Sequence, residues 1–112
     1  MKEEMRRAVV FVAAARANNR APGSIYSYAA GRHTSMSGSS SSGFDYGAGA
    51  HFGGSGSSFF HYGLGAHFNL ASNGANFRGF DYGDGCHFSG TISGSSVQLY
   101  DYGEGRYYSY TI

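Results

Sequence analysis

From Ile25 onward the chain alternates large rings with small or polar residues at a period of two, and glycines interrupt the pattern at intervals. A period of two is that of a β-strand with two distinct faces. The first residues follow another rule. Residues 2–18 hold good helix formers and no Gly or Pro. Met5, Ala8, Val9, Val12 and Ala13 share one helical face there, with Arg6, Arg7 and Arg16 mainly away from it. Pro22 and Gly23 stop the helix. The pattern predicts a helix and linker over residues 1–23 and one β-repeat domain over 24–112. The other reading of the first segment is an unstructured leader.

Within the β-region one motif recurs. Four copies are clear: Phe44-Asp45-Tyr46-Gly47-Ala48-Gly49-Ala50-His51-Phe52, then residues 60–68, 80–88 and 100–108. A decayed copy covers 26–34. Successive starts lie 18, 16, 20 and 20 residues apart. Each interval is even, so each copy keeps the same residues on the same sheet face. Gly/Ser-rich links separate the copies, with Gly56, Gly74 and Gly94 midway between motifs. Each repeat therefore supplies two strands, with one turn at Gly-x-Gly and a second in the link.

A three-residue loop puts a left-handed residue in third place, which suits Gly49, Gly65, Gly85 and Gly105. A two-residue loop is the competing reading. With three, Phe44 faces Phe52, Asp45 faces His51 and Tyr46 faces Ala50. One face then collects Phe44, Tyr46, Phe52, Phe60, Tyr62, Phe68, Phe80, Tyr82, Phe88, Tyr100, Tyr102 and Tyr108, and the other collects the Asp/His positions. The expected fold is all-β: an antiparallel meander of about 8–10 short strands with one aromatic face and a short N-terminal helix. The ring face is covered by curling into a barrel or sandwich, by the helix lying across it, or by a second chain. A β-solenoid with one repeat per coil is the alternative architecture.

Composition narrows the function classes. The chain has 112 residues, so the core is modest. Rings outnumber aliphatics after Ala21, which supplies buried area that a Gly/Ser-rich linker lacks. The basic residues concentrate in the first segment (Lys2, Arg6, Arg7, Arg16, Arg20), whereas the repeats hold Arg32, Arg78 and Arg106 against five carboxylates. Nucleic-acid binding is therefore disfavoured. No stretch is long enough for a membrane-spanning helix. Residues 8–15 resemble a signal-peptide core, but Glu3, Glu4 and Arg16 depart from that pattern. Gly/Ser/Tyr repeats of low charge favour an envelope or extracellular setting. Cys86 is alone, which excludes an internal disulfide.

Candidate chemistry lies on the two faces. His51, His67 and His87 with Asp45 and Asp81 are the candidate transition-metal ligands, since imidazole and carboxylate suit such ions. Cross-strand hydrogen bonding is the plainer reading, because the positions drift between copies. The tyrosine-rich face is a candidate for stacking on sugar rings. No nucleophile elbow or phosphate loop occurs, so neither enzyme activity nor a cofactor is expected. The strand Tyr107–Ile112 reads as an open edge, from which a homo-oligomer by edge or face pairing follows. The leading expectation is a non-enzymatic structural or interaction module. The alternative is a ligand-binding module for a glycan or a metal.

Overall fold

The computed structural model describes residues 1–112. It is an all-β antiparallel meander with one N-terminal helix, closed into a ten-stranded barrel. The helix is α1 (Glu3–Ala17). The strands are β1 (Ser24–Ser27), β2 (Arg32–Gly38), β3 (Ser42–Asp45), β4 (Ala50–Ser55), β5 (Ser58–His61), β6 (Ala66–Asn73), β7 (Asn76–Asp81), β8 (Cys86–Ser93), β9 (Ser96–Asp101) and β10 (Arg106–Thr111). Each strand pairs with its chain neighbours, and β1 closes on β10 through Tyr26–Thr111 and Ser27–Tyr110. The C-terminal strand is thus not the open edge its sequence suggested, since it pairs with β1. A barrel, not a solenoid, is the outcome.

The helix does not lie across a sheet face; it fills the barrel. Eight strands leave an interior that side chains alone can fill, and ten leave more. Val9, Val10, Phe11, Val12, Ala13 and Ala14 are all buried, a run that covers every side of a helix. The expected single apolar stripe was too narrow: even Arg6 and Arg7 are buried. At 15 residues, α1 is about 22 Å long, which matches a molecule 25 Å along its shortest axis. Its start meets the Gly-x-Gly turns, where Arg7 contacts Asp45. Its far end meets the link turns, where Arg16 donates to Gly56 O and Asn18 to Gly94 O. No helix is long and apolar enough to cross a membrane.

The hairpin loop holds four residues rather than three or two. Asp45 pairs with Ala50, Phe44 with His51 and Gly43 with Phe52. The Asp side chain explains the choice. Asp81 Oδ1 accepts from the Gly83 and Asp84 N–H groups, and Asp101 does the same for Gly103 and Glu104. This makes Asp the last paired residue and moves the motif's Tyr into the loop. The loop closes through Gly85 N–H to Asp81 O at 2.8 Å, with Gly85 left-handed at φ 68°. Gly49, Gly65 and Gly105 are left-handed as well.

A one-residue change of register exchanges partners across the turn and splits the expected aromatic face. Phe52, Phe68, Phe88 and Tyr108 point inward and are buried. Phe44, Phe60, Phe80 and Tyr100 point outward, each beside an exposed loop tyrosine: Tyr46, Tyr62, Tyr82 or Tyr102. Inward glycines make room for the inner rings. Gly43 pairs with Phe52, Gly54 with Phe59, Gly79 with Phe88 and Gly90 with Phe77. A Cβ at Gly79 would overlap the Asn69 carbonyl and lie 2.6 Å from the Phe88 ring.

Candidate functional site

Two places concentrate polar chemistry: the pole of the lumen beneath the Gly-x-Gly turns, and the outer wall of β6–β10. At the pole, each repeat contributes its second motif residue. Ser27, Asp45, His61, Asp81 and Asp101 are all buried there, around the first turn of α1. Arg7 Nε donates to Asp45 Oδ2 at 2.8 Å, with both side chains almost wholly buried. The Met1 amino group donates to Asp101 Oδ2 at 2.9 Å and lies 3.2 Å from Asp84. Burial opposes that charge, but the two carboxylates outweigh it and push the amino group up to about 10. Burial likewise works against the Asp101 carboxylate, yet the ammonium and the turn N–H groups hold it below its usual range. Asp81 has turn N–H groups without a cation in hydrogen-bond contact, and burial raises it.

His61 replaces Asp in the third repeat and does half of its work. Its Nδ1 accepts from Leu64 N–H at 3.2 Å, the same capping bond, while Nε2 is buried without a partner. Burial lowers its pKa, so the imidazole is held neutral, although Asp45 and Glu4 favour the charge. Arg6 Nε donates to Tyr110 Oη at 3.0 Å, and its guanidinium lies 3.6 Å from the centre of the Tyr108 ring. Glu3 accepts from Ser27 and Tyr110 hydroxyls. Cys86 is buried beside the amino group, and burial raises its thiol, which makes it a poor nucleophile. At the pole the Arg7–Asp45, Met1–Asp101 and Arg6–Tyr110 contacts tie the helix to the barrel, while His61 Nε2 is left without a partner.

The proposed metal ligands are divided by the barrel wall. Asp45 and Asp81 are in the lumen. His51, His67 and His87 are outside, packed edge-on against Phe44, Phe60 and Phe80 at 4.6–4.8 Å between ring centres. No group of three or more His, Cys, Asp or Glu side chains is arranged to hold a metal ion. The residues expected to pair across one face therefore do not converge.

Outside, five three-ring clusters encircle one end of the barrel: Tyr26/Tyr28/His33 and the equivalents in the other repeats. Their tyrosine hydroxyls reach the neighbouring hairpin. Tyr28 contacts Thr111, Tyr46 contacts Ser37, Tyr102 contacts Ser89, and Tyr82 accepts from Asn69. These bonds hold the seams between hairpins while the four tyrosines stay 56–61% exposed.

Below the rings the outer wall is not uniform. Over β3–β5 it carries Ser42, Gly53, Ser55 and Ser58. Over β6–β10 the register sets out three parallel rows. Asn69, Phe80 and His87 form the first; Ala71, Arg78, Ser89, Tyr100 and Tyr107 the second; Asn73, Asn76, Thr91, Gln98 and Ser109 the third. Small Ala71 and Ser89 flank Arg78, so the middle row is low on either side of that side chain over β6–β8. Two adjoining open depressions result, of about 890 and about 630 Å³, and both include Ala71, Arg78, Ser89 and Tyr102. Arg78 is not among the candidate residues that the repeat motif points to. The available signal was a break in the repeat: its equivalents are Ser24, Ser42, Ser58 and Gln98. No protein-family model matches this chain, and no match was found among curated proteins or solved structures.

Proposed function

We propose that this protein is a non-enzymatic interaction module that binds carbohydrate on the outer wall of β6–β10. One observation carries the reading: exposed tyrosine rings stand beside a depression lined by amide and hydroxyl side chains. Sugars present both an apolar ring face and a rim of hydroxyls, so a site for them combines stacking surface with fixed donors and acceptors. Several of these groups are already oriented. Thr91 Oγ1 donates to Asn76 Oδ1 at 3.2 Å, which leaves the Asn76 amide N–H₂ free to donate. The Tyr102 and Ser89 hydroxyls share a bond at 3.3 Å. The helix occupies the lumen, so a ligand has its room on the outside.

The test is an NMR titration of the labelled protein with neutral β-1,4-linked gluco-oligosaccharides and with oligogalacturonates. Shifts confined to β6–β10, with Tyr100, Tyr102 and Tyr107 ring signals among them, are expected. Loss of the shifts in Tyr102→Ala would support stacking. No shift with either class at millimolar ligand, or shifts confined to β2–β5, would overturn the reading.

A further inference from the structure

The charge of the same depression identifies a ligand class, an inference that rests on the carbohydrate reading above. Arg78 is exposed in the middle row, opposite Ala71 on one side and Ser89 on the other. Like Arg20 and Arg32 it takes part in none of the protein's ion pairs and stacks on no ring, whereas Arg6, Arg7, Arg16 and Arg106 are all engaged, and of the three it alone lies in the depressions of β6–β10. Neither depression is lined by an Asp or Glu. The guanidinium therefore faces a site of hydroxyls, amides and rings with no internal counter-charge. In the four other repeats the equivalent position is uncharged, so the cation is not something the hairpin needs in order to fold.

We infer that this site takes a carboxylate-bearing saccharide, a uronic acid chain, with Arg78 reading the carboxylate. A guanidinium presents a planar fork that matches a carboxylate through two parallel hydrogen bonds. A single cation fits one carboxylate per sugar, with hydroxyls to either side for Asn76, Ser89 and Gln98. Chains of sulfate or phosphate groups call for clustered cations, and Arg78 is the only Lys or Arg lining either depression, with His87 the one other basic side chain there.

Calorimetric titration with trigalacturonate and with its fully methyl-esterified form separates the charge from the sugar, because both share the same rings. The acid is expected to bind at least about tenfold more tightly than the ester. Arg78→Gln should abolish that preference, Arg78→Lys should keep part of it, and added salt should weaken only the acid. Equal affinity for acid and ester in the wild type would overturn the carboxylate inference and leave the carbohydrate reading standing. So would a preference that survives in Arg78→Gln. If neither form nor any neutral oligosaccharide binds, the carbohydrate reading itself falls, and this inference with it.

Discussion

Alternate residues of the same ten strands build two walls under different constraints. The lumen wall must enclose a helix, so its residues are coupled. Phe52, Phe59, Phe77 and Phe88 each lie beside an inward glycine, and Asp45 and Asp101 meet cations of the first segment. The outer wall of β6–β10 encloses no helix, and below its rings it is tied by the Thr91–Asn76 hydrogen bond. Arg78 and Gln98 occupy one repeat position at which the three other repeats have serine. The repeat is conserved within the chain where folding uses it and departs from itself where a ligand would sit. Repetition and departure from it are thus separate signals in one sequence.

The comparison breaks first at the Arg7–Asp45 pair. Arg7→Met removes one partner and leaves a carboxylate buried and unpaired, which should cost about 3–5 kcal/mol. Urea denaturation measures it. Adding Asp45→Asn should restore a good part of the loss, because the Asn side chain can still cap the turn N–H groups. A single variant as stable as wild type would show that the pole does not anchor the helix.

Glycines test the lumen wall next. Gly79→Ala places a methyl against the Asn69 backbone and the Phe88 ring, an overpacking of about 1–3 kcal/mol. Gly85→Ala meets no atom within 4 Å, so only its left-handed backbone is penalised, by about 1 kcal/mol. Denaturant midpoints should fall in that order. The reverse order would mean that close packing of rings on glycine is not what sets the inner wall.

His61 gives a smaller effect, visible as a slope. Its folded-state pKa is lowered by burial, so the unfolded chain takes up the proton first as pH falls below about 6.5. Stability contributed by neutral His61 is present above that value and is lost as pH drops toward the folded-state pKa. His61→Asn retains an acceptor for Leu64 N–H and does not titrate. Its stability should therefore change less than that of wild type between about pH 7 and about pH 5. Asp81 titrates with the opposite sign, its pKa being raised, and acts in the window just above its ordinary value of 3.8. Parallel stability curves for wild type and His61→Asn would remove His61 from the account.

Much of the fold was legible because its signals are local. Period-two alternation gave the strands, and the even intervals gave a constant face, which Phe44, Phe60, Phe80 and Tyr100 keep by all pointing outward. Loop length was not legible from the glycines alone. A left-handed Gly suits a three-residue or a four-residue loop, and the deciding interaction is the Asp carboxylate on the turn N–H groups. That single residue decided which rings are inside. The helix environment was hidden for another reason. Arg6 and Arg7 read as a solvated face, and their buried partners Tyr110 and Asp45 are distant in sequence. Arg78 is legible only as a departure from the repeat, at a position that is uncharged in the other copies.

The smallest effect belongs to the outer wall and is the sharpest test of the division. Arg78 makes no ion pair within the chain, so Arg78→Gln should change stability by no more than about 0.5 kcal/mol. The converse substitution, Ser58→Arg, adds a cation at the equivalent position of the third repeat. Ser58 is exposed and faces Ser55 and Asn69, so this change should also fall within about 0.5 kcal/mol. Thermal melts of both variants beside wild type would measure the tolerance. A wall built only for folding would resist gaining or losing a charge, as the lumen wall does at Arg7. If either variant is destabilised as much as Arg7→Met, the two walls are not independent, and the outer positions of β6–β10 are there for the barrel rather than for a ligand.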